Sequence, residues 1–421
     1  MNEYEQLDHM SKIPDSEIMK EPHFYLPHHP VFKNSSTTKL RVVFNASAKS
    51  SSGKSLNDIL HSAQPTQESL YSIILRFRMY KFVVTADVAK MYRQILIQNS
   101  HQDLQRIVWR NSPNEELSHY RLHTVTYGEA SVPFLATRCL QQLALECSDP
   151  LVSSVIKNDF YIDDLSTGSD VLLEIQKVQK GISDIFSQAG MQLRKWCSND
   201  ERVLNSITPD EDPHHIIRFT ESKESLSTLG LIWYPHADCL SFQMSDSFRH
   251  SHFTRRSILS DLSKIFDPLG LVTPVLIRGK IFIQELWQSC KDWDEVLPEH
   301  LQLKWQKFSS QLSDMKNLTI PRRACFNSLN FELHGFSDAS ESAYGACVYI
   351  KSVDEDGHTH VYLLTSKSRV APMKTISLPR LELCAAVLLI RLMSSVLKSL
   401  RVSPSAVHYW TDSQIVLTWI S

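Results

Sequence analysis

The sequence lacks the features that mark several common protein classes. Its eight cysteines form no C-x-x-C pair, which argues against a zinc site and a disulfide framework. Reduced thiols in an intracellular protein are the simplest interpretation. No run of 18 apolar residues occurs, so no membrane span is expected. The first residues, MNEYEQLDHMSKIPDSE, are polar and acidic, unlike a secretory signal peptide.

An excess of charge of one sign is also missing. The chain has 44 Lys and Arg against 46 Asp and Glu, a net charge of −2, so no overall basic field indicates a nucleic-acid partner. A protein that binds nucleic acid can still be near neutral, because its basic residues need only line one cleft. With 421 residues, 42% of them hydrophobic, the chain has room for roughly two to four domains.

In the first half of the chain, the pattern predicts strands and helices around three aspartates. Residues 1–38 are polar with three prolines and suggest an irregular N-terminal arm. The other predicted elements are a strand at 39–45 (KLRVVFN), a helix at 66–80 capped at Thr66, a buried strand at 81–87, a helix at 131–146, a hairpin at 153–169 and a helix at 171–190.

In the second half, a predicted hairpin at 226–244 is followed by a helix-rich stretch at 255–316. The pattern then changes. It predicts strands at 330–337, 343–351 and 360–366, a helix from Pro379 to about Leu400, a strand at 406–411 and a short element at 413–420. The order β-β-β-α-β is that of the opening of an α/β domain, which we expect to be unfinished at residue 421.

Three acids in the first half suit nucleotidyl transfer. That reaction needs two divalent ions, one to activate the primer 3′-hydroxyl and one to hold the triphosphate, and hard cations prefer carboxylate oxygens. Asp87 ends the predicted buried strand, and Asp163 and Asp164 lie on the turn of the predicted hairpin. The sequence therefore predicts a two-metal site built from two backbone segments.

Neighbouring side chains fit the same chemistry. Tyr92 can lie beneath the sugar of the incoming nucleotide and exclude a 2′-hydroxyl. Lys39 and Arg41 can contact the triphosphate, Arg41 through a bidentate fork. Lys195 can protonate or stabilise the leaving pyrophosphate.

Each residue also has an ordinary interpretation. The Asp163–Asp164 pair alone is typical of a solvated turn, Asp87 of a turn or helix cap, and Tyr92 of the core. Their order favours the polymerase interpretation: a basic strand, an acidic strand end with a downstream aromatic, a helix with an early proline, an acidic hairpin, then glycine and lysine.

The chain closely resembles the pol region of BEL/Pao long-terminal-repeat retrotransposons. The resemblance spans essentially the whole sequence and is carried by nine segments. They are residues 25–58, TADVAKMYRQILI (85–97), 120–144, DFYIDDLSTGS (159–169), LRKWCSND (193–200), LSKIFDPLGLVTPV (262–275), GFSDASESAYGACVYI (335–350), 365–386 and HYWTDSQIVLTWI (408–420).

This resemblance implies an α+β right-hand polymerase, with fingers, thumb and an antiparallel palm sheet, followed by a truncated ribonuclease H-like α/β domain. The implied domains are an N-terminal arm at 1–38, fingers and palm at 39–200, thumb and connection at 201–325, and the ribonuclease H-like domain at 326–421. The implied partners are an RNA or DNA template with primer, deoxynucleoside triphosphates and an RNA/DNA hybrid. The cofactor is Mg²⁺ or Mn²⁺, two ions per active site, and the location is cytoplasmic element particles with nuclear access.

The resemblance also implies roles for individual residues. The metal-binding acids of the polymerase are Asp87, Asp163 and Asp164, and Tyr92 is the steric gate. The residues implied to bind the substrates are Lys39, Arg41, Gly128, Pro133, Phe134, Tyr161 and Lys195.

The C-terminal segment resembles a ribonuclease H domain, a second two-metal site. Asp338, Glu382 and Asp412 fall on three neighbouring predicted elements, as an open metal site requires. Basic residues between the first two acids can contact phosphates or can simply form a solvated loop; they are Lys367, Arg369, Lys374 and Arg380. Because the chain stops nine residues after Asp412, we expect weak or absent ribonuclease H activity.

Two alternatives remain open. The chain can be a catalytically inactive remnant of a retroelement, although the retained polymerase acids argue against heavy decay. It can also be a peptidase, since BEL/Pao polyproteins carry one. A retropepsin-like site needs an Asp-Thr-Gly or Asp-Ser-Gly turn, and the sequence contains no such tripeptide.

Overall fold

A computed structural model describes residues 1–32, 40–207, 215–219, 221, 224–243, 252–289 and 292–421. The chain divides into two compact units. Unit 1 comprises Met1–Gln67, Asp87–Asp163 and Lys180–Arg194, and unit 2 comprises Glu68–Ala86, Asp164–Gln179 and Lys195–Ser421.

The fold mixes strands and helices throughout. Its strands are β1 (Met10–Lys12), β2 (His28–Phe32), β3 (Leu40–Phe44), β4 (Phe82–Val88), β5 (Arg106–Trp109), β6 (Ser118–Leu122), β7 (Phe160–Tyr161), β8 (Asp164–Ser169), β9 (Leu193–Ser198), β10 (Leu226–Thr228), β11 (Leu231–Tyr234), β12 (Cys239–Ser241), β13 (Ile320–Pro321), β14 (Phe331–Ala339), β15 (Ala343–Val353), β16 (Thr359–Val370) and β17 (Ala406–Trp410).

The α-helices are α1 (Asn2–Gln6), α2 (Leu56–Ile59), α3 (Leu70–Phe77), α4 (Asn99–Gln102), α5 (Val132–Glu146), α6 (Pro150–Asn158), α7 (Leu172–Gln188), α8 (Glu201–Leu204), α9 (Arg255–Ser263), α10 (Thr273–Ser289), α11 (Glu299–Leu312), α12 (Leu378–Ser399) and α13 (Gln414–Ile420). Among the described residues, no helix is both long enough and apolar enough to cross a membrane.

Unit 1 contains the sheet β1-β6-β5 and the antiparallel pair β2-β3. The expectation that residues 1–38 are irregular is wrong for α1, β1 and β2. Met10 of β1 is 2% exposed and pairs with Leu122 of β6. The sequence of this polar segment does not predict the long-range pairing, because a single buried residue produces no periodic pattern of apolar residues.

Two predicted boundaries around the acidic turn are also wrong. Residues 153–158 belong to α6, because Asp149 caps that helix by accepting hydrogen bonds from the backbone of Leu151 and Val152. The helix predicted from Thr66 begins at Leu70 instead, where the Ser69 side chain accepts from the backbone N–H of Ser72 at 3.1 Å. In both places a local capping bond decides where the helix begins.

Unit 2 contains the sheet β16-β15-β14-β17, in which β14 runs antiparallel to β15 and parallel to β17. Helix α12 packs on one face of this sheet: a Cβ added at Gly335 would lie 2.6 Å from a methyl of Leu389. The predicted order of three strands, a helix and a strand is therefore confirmed. The predicted hairpin at 226–244 is also confirmed, as β10, β11 and β12 pair antiparallel.

The Asp267-Pro268-Leu269-Gly270 loop is attached to the edge strand β16. The Leu269 carbonyl accepts from the Ser366 backbone N–H at 2.9 Å and from the Thr365 hydroxyl at 2.7 Å. The Asp267 carboxylate accepts from the backbone N–H groups of Leu271 and Val272 at 2.8 and 2.9 Å. Gly270 has φ +72°, and a Cβ there would lie 1.9 Å from the Ser366 carbonyl oxygen.

We expect Gly270→Ala to lower the free energy of unfolding by about 1–3 kcal/mol more than Gly357→Ala. Both substitutions strain the backbone, but only the new methyl group at 270 would also overlap a neighbouring atom. Gly357 also has a positive φ, +85°, but a Cβ there would meet nothing within 4 Å. Denaturant unfolding of both variants measures the difference. Equal losses would show that the loop does not need this close approach.

Candidate functional site

Asp87 and Asp163 are brought together at the end of β4. The backbone N–H of Val88 donates to the carbonyl of Asp163 at 2.9 Å, so the residue after Asp87 is hydrogen-bonded directly to Asp163. Both side chains are half-buried. The pair that the sequence predicted from two distant segments is thus adjacent within unit 1.

The turn that carries Asp163 is held in an unusual backbone conformation. Ile162 has φ +56°, a region that β-branched residues rarely adopt. Its N–H donates to the Gln67 side-chain oxygen at 2.9 Å, a bond that ties the turn to a second segment of unit 1. Tyr161 ends β7 before the turn, and Asp164 begins β8 after it and is counted in unit 2.

Arg194 contacts the same site and was missed by the sequence analysis. Its Nε lies 3.1 Å from an Asp87 carboxylate oxygen. The sequence pointed to the neighbouring Lys195, which is half-buried in β9 with φ +56°. Arg194 and Lys195 are consecutive in the sequence, and nothing in the pattern there predicts which of the two side chains contacts Asp87.

Tyr92 lies near the acids. Its ring centroid is 5.0 Å from that of Tyr127, with the planes 61° apart. Burial and the nearby charge of Asp163 raise the pKa of Tyr92 to about 12, so the phenol stays protonated. The predicted gate residue therefore packs against Tyr127, a neighbour that sequence reasoning did not find.

The structure gives positions, but no test of a role, for most of the residues implied to bind the nucleotide. Arg41 is exposed on β3, with its guanidinium 5.6 Å from the Tyr127 ring centroid. Gly128 has φ +102°, and a Cβ there would lie 2.3 Å from the Phe44 carbonyl oxygen. Pro133 and Phe134 lie half-buried in the first turn of α5. Lys39 falls outside the described residues.

The second set of acids is gathered in unit 2. Asp338 lies near the end of β14, Glu382 in the first turns of α12 and Asp412 just after β17. One carboxylate oxygen from each lies within 4.8 Å of the other two. The parallel register of β14 and β17 pairs Phe336 with Trp410. Asp338 comes two residues after Phe336 and Asp412 two residues after Trp410, so both aspartates lie at the same end of the sheet.

The environment of Glu382 suits a cation. One of its carboxylate oxygens is buried and has no hydrogen-bond partner within the described part of the chain. Burial, followed by the charges of Asp412 and Asp338, raises the pKa of Glu382. A divalent ion would satisfy the buried oxygen and offset the repulsion among the three acids.

Two other groups of potential metal ligands fit less well. Glu332, near His334 and His408, already has a Lys351 ammonium at 3.2 Å. Asp354, near Asp356 and His358, already accepts two backbone N–H groups. Of the three groups in the described residues, the Asp338–Glu382–Asp412 set is the one with a buried carboxylate oxygen that lacks a hydrogen-bond partner.

A cleft of about 680 Å³ opens beside these acids. Asp338 and Asp412 line it, together with the aromatic rings of Phe336 and Trp410 and the ammonium of Lys367. Arg369, Lys374 and Arg380, the other basic residues singled out in the sequence, are exposed.

Comparisons with known proteins bear on this fold. Residues 254–413 match the family model described as the Pao retrotransposon-like RNaseH-like domain. A solved structure of the foamy viral protease-reverse transcriptase dRH in complex with ds DNA matches with TM-score 0.62 and 13% identity, over 99% of this chain and 62% of that one. The foamy viral protease-reverse transcriptase in complex with RNA/DNA hybrid matches with TM-score 0.58 and 12% identity, over 99% of this chain and 48% of that one. A search of curated proteins gave no match.

The fold is thus a mixed helix-and-sheet fold that resembles a retroviral reverse transcriptase. Residues 254–413, less than half of the chain, are similar to the Pao retrotransposon-like RNaseH-like domain. It spans less than two thirds of the length of either matched structure. The family match begins at 254, before the expected domain boundary at 326, and that boundary stays a prediction.

We expect Glu382→Gln to weaken Mn²⁺ binding in unit 2 at least tenfold, because loss of even an outer-shell partner costs about 10–100-fold. Electron paramagnetic resonance of free Mn²⁺ measures the number of ions bound per chain and their affinity. The control is Asp356→Asn, which alters an exposed acid of a competing group. Equal binding by both variants and the unaltered chain would contradict the assignment.

Proposed function

We propose that this chain is the reverse transcriptase part of a BEL/Pao retrotransposon polyprotein, an RNA-directed DNA polymerase with fingers, palm and thumb. The observation that carries the proposal is the backbone hydrogen bond from Val88 that sets the end of β4, with Asp87, beside Asp163. Carboxylates from two segments and a neighbouring aromatic are what template-directed nucleotidyl transfer requires.

In this proposal, Asp87, Asp163 and Asp164 hold two divalent ions, Mg²⁺ or Mn²⁺. When bound, these ions lower the pKa of the primer 3′-hydroxyl and stabilise charge on the leaving group. The bond from the 3′-oxygen to the α-phosphorus forms as the bond from that phosphorus to the bridging oxygen breaks, and pyrophosphate leaves.

The other side chains bind and orient the substrates. Lys39 and Arg41 hold the triphosphate, and Tyr92 lies against the sugar. Gly128, Pro133, Phe134 and Tyr161 line the nucleotide and template pocket. Lys195 supplies a proton or a positive charge to the leaving pyrophosphate. The substrates are deoxynucleoside triphosphates and a template with its primer.

Arg194 forms an ion pair with Asp87 and must share that carboxylate with a bound cation. Because a guanidinium and a divalent ion compete for the same oxygens, Arg194 tunes the ion concentration at which the site fills.

We expect Asp163→Asn to reduce primer extension on an RNA template at least about 10³-fold, since it removes one charged metal ligand. Asp184→Asn, at an exposed acid of α7, is the control and should retain activity. The assay measures extended primer with Mg²⁺ and with Mn²⁺. Activity that persists in Asp163→Asn, or no activity in the unaltered chain, would instead favour the catalytically inactive remnant.

A second candidate function is cleavage of the RNA strand of an RNA/DNA hybrid. The cluster of Asp338, Glu382 and Asp412 with the unpartnered buried oxygen of Glu382 favours it. In such a site, two ions would activate water against the phosphodiester.

Our expectation of weak or absent ribonuclease H activity stays a prediction. The test incubates the chain with an RNA/DNA hybrid labelled on the RNA strand, in Mg²⁺ or Mn²⁺, and measures RNA cleavage. The Glu382→Gln variant measures the cleavage that does not depend on these acids. Robust cleavage by the unaltered chain that Glu382→Gln abolishes would contradict the expectation and assign the activity to these acids.

A further inference from the structure

Arg93, the residue after Tyr92, is buried among aromatic rings in unit 1. It lies in the short 3-10 helix Met91–Gln94 and is 3% exposed. Its guanidinium carbon lies 4.5 Å from the ring centroid of Tyr4, 5.3 Å from that of Phe44 and 5.6 Å from that of Tyr127. Burying a cation costs free energy of folding unless its surroundings compensate for the lost hydration. The contacts of Arg93 must therefore supply that compensation.

The surroundings of Arg93 compensate it unequally. One terminal nitrogen, Nη1, donates to the hydroxyls of Thr124 and Thr126 at 3.3 and 3.2 Å. The Nε and the other terminal nitrogen have no hydrogen-bond partner within the described residues. The charge interacts with the buried carboxyl of Glu129, where it lowers a pKa that burial raises, and with the three ring faces, an arrangement that depends on the rings being held in place.

Tyr127 links Arg93 to the proposed nucleotide pocket. The same Tyr127 ring packs against Tyr92 with 5.0 Å between centroids, and the Arg41 guanidinium lies 5.6 Å from its centroid. The position of Tyr92, the proposed gate, thus depends on a ring that Arg93 contacts.

The N-terminal helix α1 also contacts Arg93, through the ring of Tyr4. Tyr4 stacks on Phe44 with 6.4 Å between centroids and planes 23° apart, and Glu3 of the same helix forms an ion pair with Lys90. Helix α1 is therefore part of the structure that holds Arg93, which the composition of residues 1–38 did not indicate.

We infer that Arg93 is a positioning residue that fixes Tyr127 against Tyr92 and thereby sets the discrimination between deoxyribonucleotides and ribonucleotides. The inference rests on the proposed polymerase function. A side chain at 93 that packs less well against Tyr127 would let that ring shift relative to Tyr92. The space for a 2′-hydroxyl would then change, while Asp87 and Asp163 stay in place.

The test compares Arg93→Met and Arg93→Lys with the unaltered chain in single-nucleotide primer extension. The readout is kcat/KM for a deoxynucleotide divided by kcat/KM for the matching ribonucleotide. We expect this ratio to fall about tenfold in Arg93→Met, as loss of one desolvated cation–π contact would predict. The ratio should fall less in Arg93→Lys, which retains the charge.

Arg106→Met is the matched control. Arg106 is another fully buried arginine of unit 1, with its guanidinium carbon 6.0 Å from the Tyr25 centroid and its Nε 3.0 Å from Asp103. It should lose stability with no change in the ratio. If Arg93→Met does not fold, Arg93→Lys and Tyr4→Leu decide the question, since Tyr4→Leu removes a ring from the other side of the guanidinium.

The possible failures are distinguishable. An unaltered chain that extends no primer would overturn the proposed function, and this inference with it. An active chain whose folded Arg93 variants keep the original ratio would overturn the inference alone. So would an Arg106→Met variant that changes the ratio as much as Arg93→Met does, because the effect would then be general loss of stability.

Discussion

Carboxylates held close together on rigid elements repel one another, and the three acids gathered in unit 2 are arranged under that constraint. Asp338, Glu382 and Asp412 have oxygens within 4.8 Å of one another, and the pKa of Glu382 is raised by burial and by its two neighbours. In unit 1, a backbone hydrogen bond holds Asp163 next to the end of β4. A bound cation would offset this repulsion, and the proposed function assigns divalent ions to both sets of acids.

The positions of these acids follow from pairing rather than from local sequence alone. The parallel register of β14 and β17 brings Asp338 and Asp412 to the same end of the sheet. Helix α12 then carries Glu382 to the same point. The family match from 254 to 413 includes all three acids and the Asp267–Gly270 loop, which is hydrogen-bonded to β16 of the same sheet.

Sequence reasoning located the acids because strand periodicity and terminal acids are local signals. It predicted β14 to β17 and α12 to within a few residues, and it named Asp338, Glu382 and Asp412, whose carboxylates the fold gathers. It failed where long-range contacts decide: β1 pairs with β6 through Met10 and Leu122, which no nearby pattern indicates. Arg93 and Arg194 were overlooked for the same reason, because their ring and carboxylate partners are distant in the chain.

Our central proposal is that Asp87 and Asp163, and likewise Asp338 and Glu382, bind divalent ions. Diffraction from crystals of the chain with template, primer and Mn²⁺, collected at the manganese edge, tests this most directly. We expect anomalous peaks within about 2.0–2.6 Å of carboxylate oxygens of Asp87 and Asp163 and of Asp338 and Glu382. Ordered Mn²⁺ bound elsewhere, with both acid sets still paired to protein cations or water, would contradict it.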